Sequence, residues 1–567
     1  MTHRNISPSR RNFLRGSSLL LGSLALPAGT RAASPLRRYN AASREGRRML
    51  QTFAAGIESL VTRPSADSQD WFVNAFIHVM DCPHGDQIAF TSWHQAYLRS
   101  VERSIRTVTG DSAFTIPYWD WTQSPAIPDA MFAGFLNPSD PVFDPHFANY
   151  GIFRRAAGPR LDAFFERLSG EQAEHLAGRG FRSPADAWRR VETNGEFADR
   201  AFARAITQDD PRLDAKSARM CSAEIVQAAL SRTTVETFSS GGGTFSILEG
   251  LCHNAVHAAV GGSDLARPGF MSGGLAPIDP LFFLHHANID RLWNVWIRKQ
   301  QASGLPSGSG GGGRFLFPAA GGDFGYDYEP GFGEEIVAGR WQEPVRPGRG
   351  GITRDEGGDR NSDRDGRGRF GSRDSDRRGD ERYPSRDRFP LGGEARDRDT
   401  DDRVRYPSRD RVHVGGANDD RAVVRPDRPI AEREPRTQFG GRSRGAAAMV
   451  EFPQGLLAEW ARGDGLVLAK IALPMPMDGR RGRCFDLVVN APDDGRSAGA
   501  ESPHYAATLS FFDVMPGMSE DSTFSVPLGR TLAALDANGS LGNNLVFRVV
   551  PRGNANAVLE GASVELW

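Results

Sequence analysis

The 567-residue chain is poor in residue types that define whole classes of protein. Lysine is nearly absent: Lys216, Lys299 and Lys470 are the only ones in a Lys+Arg total of 69. Asp+Glu number 70, so the formal net charge is -1. That balance excludes a strongly basic nucleic-acid surface and an acidic tail, and no nucleic-acid partner is expected. Cysteine is scarce too. Cys82, Cys221, Cys252 and Cys484 are too few for a disulfide scaffold, and none form a CxxC pair. Beyond the N-terminus no apolar run is long enough for a transmembrane helix, so no stable membrane insertion is expected. Histidine is also uncommon, with 12 in all, yet "DPLFFLHHANID" (279–290) sets two side by side.

What is present falls into four segments. Arg10 and Arg11 in "SRRNFLRG" (9–16) precede the short apolar run "SSLLLGSLALPAG" (17–29) and small residues near Ala32. This reads as a cleavable twin-arginine (Tat) signal over 1–33. It predicts a periplasmic or secreted protein, handed folded to the Tat translocon with its cofactor already loaded. Residues 34–345 are rich in Trp and Phe and hold most of the histidines. Met49, Leu50, Phe53, Ile57, Leu60 and Val61 recur at three- and four-residue steps, and "HQAYLRSVERSI" (94–105) and "HHANIDRLWNVWIRKQ" (285–300) also read as helices. The segment is predicted to be mainly α.

The composition then collapses over 346–448. Residues 351–440 hold 22 Arg and 21 Asp or Glu but only 11 Val, Ile, Leu or Phe, too little apolar surface to offset the entropy of ordering. A disordered Arg/Asp-rich linker is predicted, with "RYPSRDR" repeated at 382–388 and 405–411. From 449 to 567, short runs such as "CFDLVVNAP" (484–492) and "LVFRVVPRG" (545–553) alternate with turn residues. They predict a small antiparallel β sandwich or barrel.

The histidines of the helical segment carry the chemistry. His253 and His257 are four apart, so on a helix both imidazoles share a face. A second histidine helix follows behind "DPLFF", and together they make a three-imidazole site. His78, His84 and His94 offer another three among apolar and aromatic neighbours. Ligation by imidazole without carboxylates suits copper better than magnesium, calcium or a hydrolytic di-zinc site.

The segments "HVMDCPHGDQIAFTSWHQAYLRSVE" (78–102), "IPYWDW" (116–121), "LEGLCHNAVH" (248–257) and "DPLFFLHHANIDRLW" (279–293) resemble, in order, the copper-binding signatures of the tyrosinase, catechol oxidase and mollusc haemocyanin superfamily. The resemblance covers most of 36–330. It implies a four-helix core around a type-3 dicopper centre with O2 as co-substrate. Copper A would be held by His78, His84 and His94, and copper B by His253, His257 and His286. The signature spaces its last ligand four residues before an aspartate, which picks His286 with Asp290. His285 is then a neighbour that orients the ligands or a wall of the substrate pocket. Asp290 and Glu102 are candidates for orienting imidazoles, or else plain ion-pair formers. The family commonly has Arg after the third copper-A histidine, where this chain has Gln95.

Further roles follow from the same resemblance. Cys82, two residues before His84, stands where relatives carry a cysteine–histidine thioether; a free buried thiol is the other reading. Glu249 and Asn254 stand where similar enzymes hold a water that serves as general base; a helix cap and a polar surface group are the alternative. The loop 261–278 carries the gate position at or near Gly273, with Phe270 and Met271 close by. "FGYDYE" (324–329) resembles the family's paired-tyrosine motif near the end of the domain and Arg38 its N-terminal arginine, implying a cation–π contact between Arg38 and Tyr326. The C-terminal strands resemble the β-domain of plant polyphenol oxidases, a lid reaching into the pocket with Phe511 or Phe512 and released by an activating protease. The activity implied is that of a tyrosinase acting on a small phenol, by o-hydroxylation of monophenols and oxidation of o-diphenols to o-quinones. A catechol oxidase limited to o-diphenols and a non-enzymatic oxygen carrier are the alternatives.

Overall fold

The computed structural model describes residues 36–62, 70–84, 89–240, 244–263, 265–302, 326–337, 437–444, 446–463, 465–474, 484–512, 521–552 and 559–567. The signal segment and nearly all of the predicted linker lie outside the described residues. No helix among the described residues is long and apolar enough to cross a membrane. The described helical and strand-rich regions belong to one compact unit.

The helical region has the predicted apolar stripe. The Arg44–Thr62 helix buries Met49, Leu50, Phe53, Ile57, Leu60 and Val61, and packs on the Phe90–Thr109 helix. The Trp71–Asp81 helix is capped by Asp70, which accepts from Phe72 N and Val73 N. It stops at Cys82 because Pro83 disfavours a helical residue before it; Cys82 is extended, at φ -64 and ψ 128. That break turns the chain so that His84 comes back beside His78. The Leu281–Ala302 helix supplies the HisHis pair and runs against Phe90–Thr109.

The strands are β1 (Leu36–Arg38), β2 (Thr244–Phe245), β3 (Tyr326–Tyr328), β4 (Thr437–Arg444), β5 (Ala447–Glu451), β6 (Val467–Pro474), β7 (Cys484–Val489), β8 (Tyr505–Ser510), β9 (Asp521–Pro527), β10 (Asn544–Pro551) and β11 (Gly561–Leu566). β1 and β3 pair in parallel and tie the two ends of the helical region together. The others form one sheet in the order β2-β9-β6-β11-β4-β5-β10-β7-β8. It curls back on itself: Phe511, just past β8, meets Phe524 of β9 with ring centroids 5.1 Å apart.

Three details differ from the sequence-based expectation. The sheet begins at Thr437, ahead of the predicted boundary at 449. Its C-terminal strands pair antiparallel throughout, as predicted, but β2 from the helical region adds a parallel edge, Thr244 opposite Thr523 and Phe245 opposite Phe524. It also carries two packed helices, Leu456–Arg462 and Gly529–Ala537. The second was legible in Leu528, Leu532 and Leu535, spaced four and three apart.

Candidate metal centre

Two buried groups of side chains meet where four helical segments converge. His78, Cys82, His84 and His94 form one, and His253, His257, His285 and His286 the other; within each group the potential ligand atoms all lie within 4.8 Å of one another. His84 and His253 stack across the divide with ring centroids 5.7 Å apart.

Hydrogen bonds decide which nitrogen of each ring can bind a metal. His78 Nδ1 donates to Gly274 O at 2.7 Å, His94 Nδ1 to Phe90 O at 2.7 Å and His257 Nδ1 to Met271 O at 2.8 Å. His253 Nδ1 donates to Asn254 Oδ1 at 2.8 Å, because the Asn254 amide nitrogen is committed to Ser510 O at 2.6 Å. Each of these imidazoles therefore keeps its proton on Nδ1 and presents a lone pair at Nε2. His285 is the reverse. Trp121 Nε1 donates to its Nδ1 at 3.2 Å, which puts the proton of the neutral ring on Nε2.

The donor set fits copper. Burial, with the neighbouring histidines adding to it, holds His84, His94, His257, His285 and His286 well below the usual imidazole range, and burial lowers His253 to about 3. The rings are thus neutral and ready to ligate. His257 Nε2 and His286 Nε2 lie 3.4 Å apart. Two nitrogens each about 2 Å from one first-row ion sit about 3.3 Å apart in tetrahedral geometry. Cys82 Sγ lies 3.6 Å from His84 Nε2 and 3.4 Å from His94 Nε2, and Arg179 anchors its loop through Met80 O and Cys82 O.

A second layer of charge braces the helices. Arg38 is fully buried, donates to Glu102 at 2.8 Å and pairs with Asp290. Tyr328 OH donates to the same Asp290 oxygen at 2.6 Å, and Gln95 Nε2 to the other at 2.8 Å. Gln95 thus bonds Asp290 as a neutral donor while Arg38 supplies the cation. The Arg38 guanidinium also lies 4.6 Å from the Tyr326 ring. Burial works against its charge, but Glu102, Tyr328 and Asp290 outweigh burial and hold its pKa well above the ordinary value.

Glu249 is buried in a π-helical turn, Leu248–His253. Asn254 N–H donates to Glu249 O, so residues five apart stack where an α-helix would align residues four apart. Gly250 is required in this turn, since a Cβ would fall 2.7 Å from Phe245 Cβ.

Gly273, the expected gate position, lies beside Glu196, one residue before the Gly274 carbonyl that accepts from His78. A side chain at Gly273 would meet Glu196, with a Cβ 3.2 Å from its carboxylate, and not the histidine rings. Phe270 is held among Phe147 and Phe197, and Met271 is buried with its carbonyl bound to His257. What covers the centre comes from the sheet. The Phe512 ring stacks on His257 at 3.7 Å and lies 5.0 Å from His84 and 5.5 Å from His253. Phe511 points the other way, into Phe245, Phe485 and Phe524.

Residues 54–299, which span both histidine groups, match the family model for the common central domain of tyrosinase. The chain is 29% identical over 251 residues to the tyrosinase of Streptomyces glaucescens, covering 41% of this chain and 73% of that one. It is also 29% identical over 228 residues to the hemocyanin beta-C chain unit D of Helix pomatia, covering 40% and 41%. A solved latent aurone synthase (polyphenol oxidase) aligns over 95% of this chain and 90% of its own, at 15% identity and a TM-score of 0.47. Residues 54–299, which carry the two buried histidine groups fitted to a dicopper centre, are thus similar to the common central domain of tyrosinase.

Proposed function

We propose that the chain is a latent tyrosinase that hydroxylates monophenols at the ortho position and oxidises o-diphenols to o-quinones with O2. His78, His84 and His94 would hold one copper ion, and His253, His257 and His286 the other. When bound, the copper ions supply the oxygen and electron-transfer chemistry. The protein supplies orientation, a base and access. The monophenolase reading is carried by Asn254, whose side chain lies against the His253 ring one π-turn from the buried Glu249 carboxylate. A water held between these two side chains would take the phenol proton and pass it to Glu249. A thioether between Cys82 and His84 is part of the same proposal, supported by the approach of Cys82 Sγ to that ring.

Latency follows from one short stretch of chain after β8. Phe512 fills the space over the rings of both groups, and Ser510 O ties up the amide nitrogen that a held water would need. Removing the plug and freeing the amide is thus a single event. The copper-loaded Phe512→Ala chain is expected to turn over L-DOPA faster than the uncut parent. In chain cut by trypsin and freed of its sheet by mild denaturant, where the Ser510 carbonyl no longer holds the amide, Asn254→Gly should lower L-tyrosine hydroxylation more than L-DOPA oxidation. Equal losses on both substrates would remove the water-holding role. L-DOPA turnover with no L-tyrosine hydroxylation would make the chain a catechol oxidase. The identity to the Helix pomatia haemocyanin unit favours a second reading, an oxygen carrier, which reversible O2 binding without turnover of either phenol would establish.

A further inference from the structure

A separate cavity lies in the seam between the helical region and the sheet, and none of the eight clustered metal-site residues lines it. It encloses about 120 Å³. Arg232, Thr237 and Thr244 line it from the helical side, Lys470 and Ser525 from β6 and β9, and Glu236 stands exposed at its edge.

Arg232 is only 4% exposed. Its guanidinium nevertheless has no hydrogen-bond acceptor and no ion-pair partner among the described residues; it lies over the Trp567 ring, 4.1 Å away. Five N–H donors in a fixed fork are left without an acceptor, and a buried charge so placed is costly. It cannot simply withdraw, because its backbone carbonyl accepts from Trp296 Nε1 at 2.7 Å.

More positive charge surrounds it. Lys470 Nζ spends one of its three donors on Ser525 Oγ at 2.9 Å, and Lys299 Nζ bonds Leu230 O at 2.6 Å. Two of the three lysines in the chain are therefore close to Arg232. Burial and Arg232 lower Lys299 to about 8, and burial lowers both Lys470 and Arg232, the latter to about 10. Glu565, which accepts from Trp567 Nε1 at 3.1 Å, offsets part of the cost of burying Arg232 and Lys470 but forms no ion pair with either.

We propose that this seam cavity binds a small oxyanion of the phosphate or sulfate class, held by the Arg232 guanidinium, the Lys470 ammonium and the hydroxyls of Thr237, Thr244 and Ser525. The donors converge from both walls, which suits several oxygens pointing in different directions better than one planar carboxylate. Because Arg232 and Thr237 belong to the helical region, Lys470 and Ser525 to β6 and β9, and Thr244 to β2 where the two join, the bound anion fastens the sheet in place. The inference is independent of the oxidase reading.

The test is a titration of the copper-loaded full chain with sodium phosphate, sodium sulfate or sodium acetate at an ionic strength fixed with sodium chloride, following the melting temperature. A saturable rise with phosphate or sulfate and none with acetate is expected. Lys470→Met and Arg232→Met should each raise the half-saturating concentration by about tenfold or more, the cost of one charge-assisted contact. Glu236→Gln should lower it, because a like charge leaves the edge. In anion-free buffer Arg232→Met should melt no lower than the parent, since an uncompensated buried cation is gone. A rise that does not saturate, that acetate or chloride reproduces, or that survives both methionine variants overturns the proposal. So does an Arg232→Met chain that melts well below a parent insensitive to phosphate, which would make Arg232 a stacking partner of Trp567 and nothing more.

Discussion

His285 and His286 are adjacent, equally buried and chemically identical, yet Trp121 separates their roles. Its indole N–H occupies His285 Nδ1, so Nε2 carries the proton and the ring has no free lone pair to give. His286 Nε2 instead approaches His257 Nε2. His286→Ala should therefore reduce bound copper below two ions per chain, while His285→Ala should keep both, with metal content read by atomic absorption. The opposite pattern would reverse the assignment. The spacing of the HisHis pair to Asp290 pointed to the same residue, but only as an inherited pattern. The hydrogen bond comes from a tryptophan 164 positions away, and no local signal in the sequence announces it.

At the scale of elements, β1 and β3 act as a clasp on the helices that carry His94 and His286. Their parallel register puts Arg38 opposite Tyr328 and delivers the guanidinium to Glu102 on one helix and Asp290 on the other. Truncating Arg38 strands two buried carboxylates, a loss on the order of 3–5 kcal/mol. The stacking on Tyr326 alone would contribute no more than about 2 kcal/mol. A urea-unfolding series on Arg38→Ala should show the larger loss, and a midpoint shift matching only the stacking contribution would mean the ion pairs contribute nothing net. The arginine and tyrosine were legible as a pair of motifs at the two ends of the region. That two carboxylates were their real partners was not, because charged residues on amphipathic helices are usually solvated.

The whole molecule should be acid-sensitive when stripped of metal. The six clustered histidines whose values are lowered titrate near 6.5 when unfolded and well below it when folded, about 3 for His253. In that window the unfolded chain binds more protons, so stability rises with pH and is lost as pH falls below 6.5. Each group removes up to about 1.4 kcal/mol per pH unit. The urea midpoint of the metal-free chain should be lower at pH 5.5 than at pH 7.5, and equal midpoints would contradict the buried, neutral ring cluster.

The sheet should also outlast cleavage of the chain between it and the helical region. β2 is part of it, Lys216 Nζ reaches Asp486 at 2.7 Å, and Arg219 Nη1 reaches Ala500 O at 2.6 Å. Limited trypsin acting on the arginines of 351–436 should give two fragments that co-elute and stay latent until mild denaturant parts them, whereupon L-DOPA turnover rises. Fragments that part without such a rise would sink the lid.

Composition and spacing alone determined the helical region with its two histidine triads, the strand-rich C-terminal region and the change of character between them. Each rests on local physics: a 3.6-residue or two-residue apolar period, or imidazoles at helical spacing. Only the tertiary structure decided the rest. It set the tautomer of each ring, put Phe512 and not Phe511 over the histidine rings, set Gly273 beside Glu196 and placed β2 in the sheet. Successive residues at a strand end point to opposite faces, so which face meets the centre depends on where the whole sheet docks. Docking is set by buried area and by partners hundreds of residues apart, and no window of the sequence contains both.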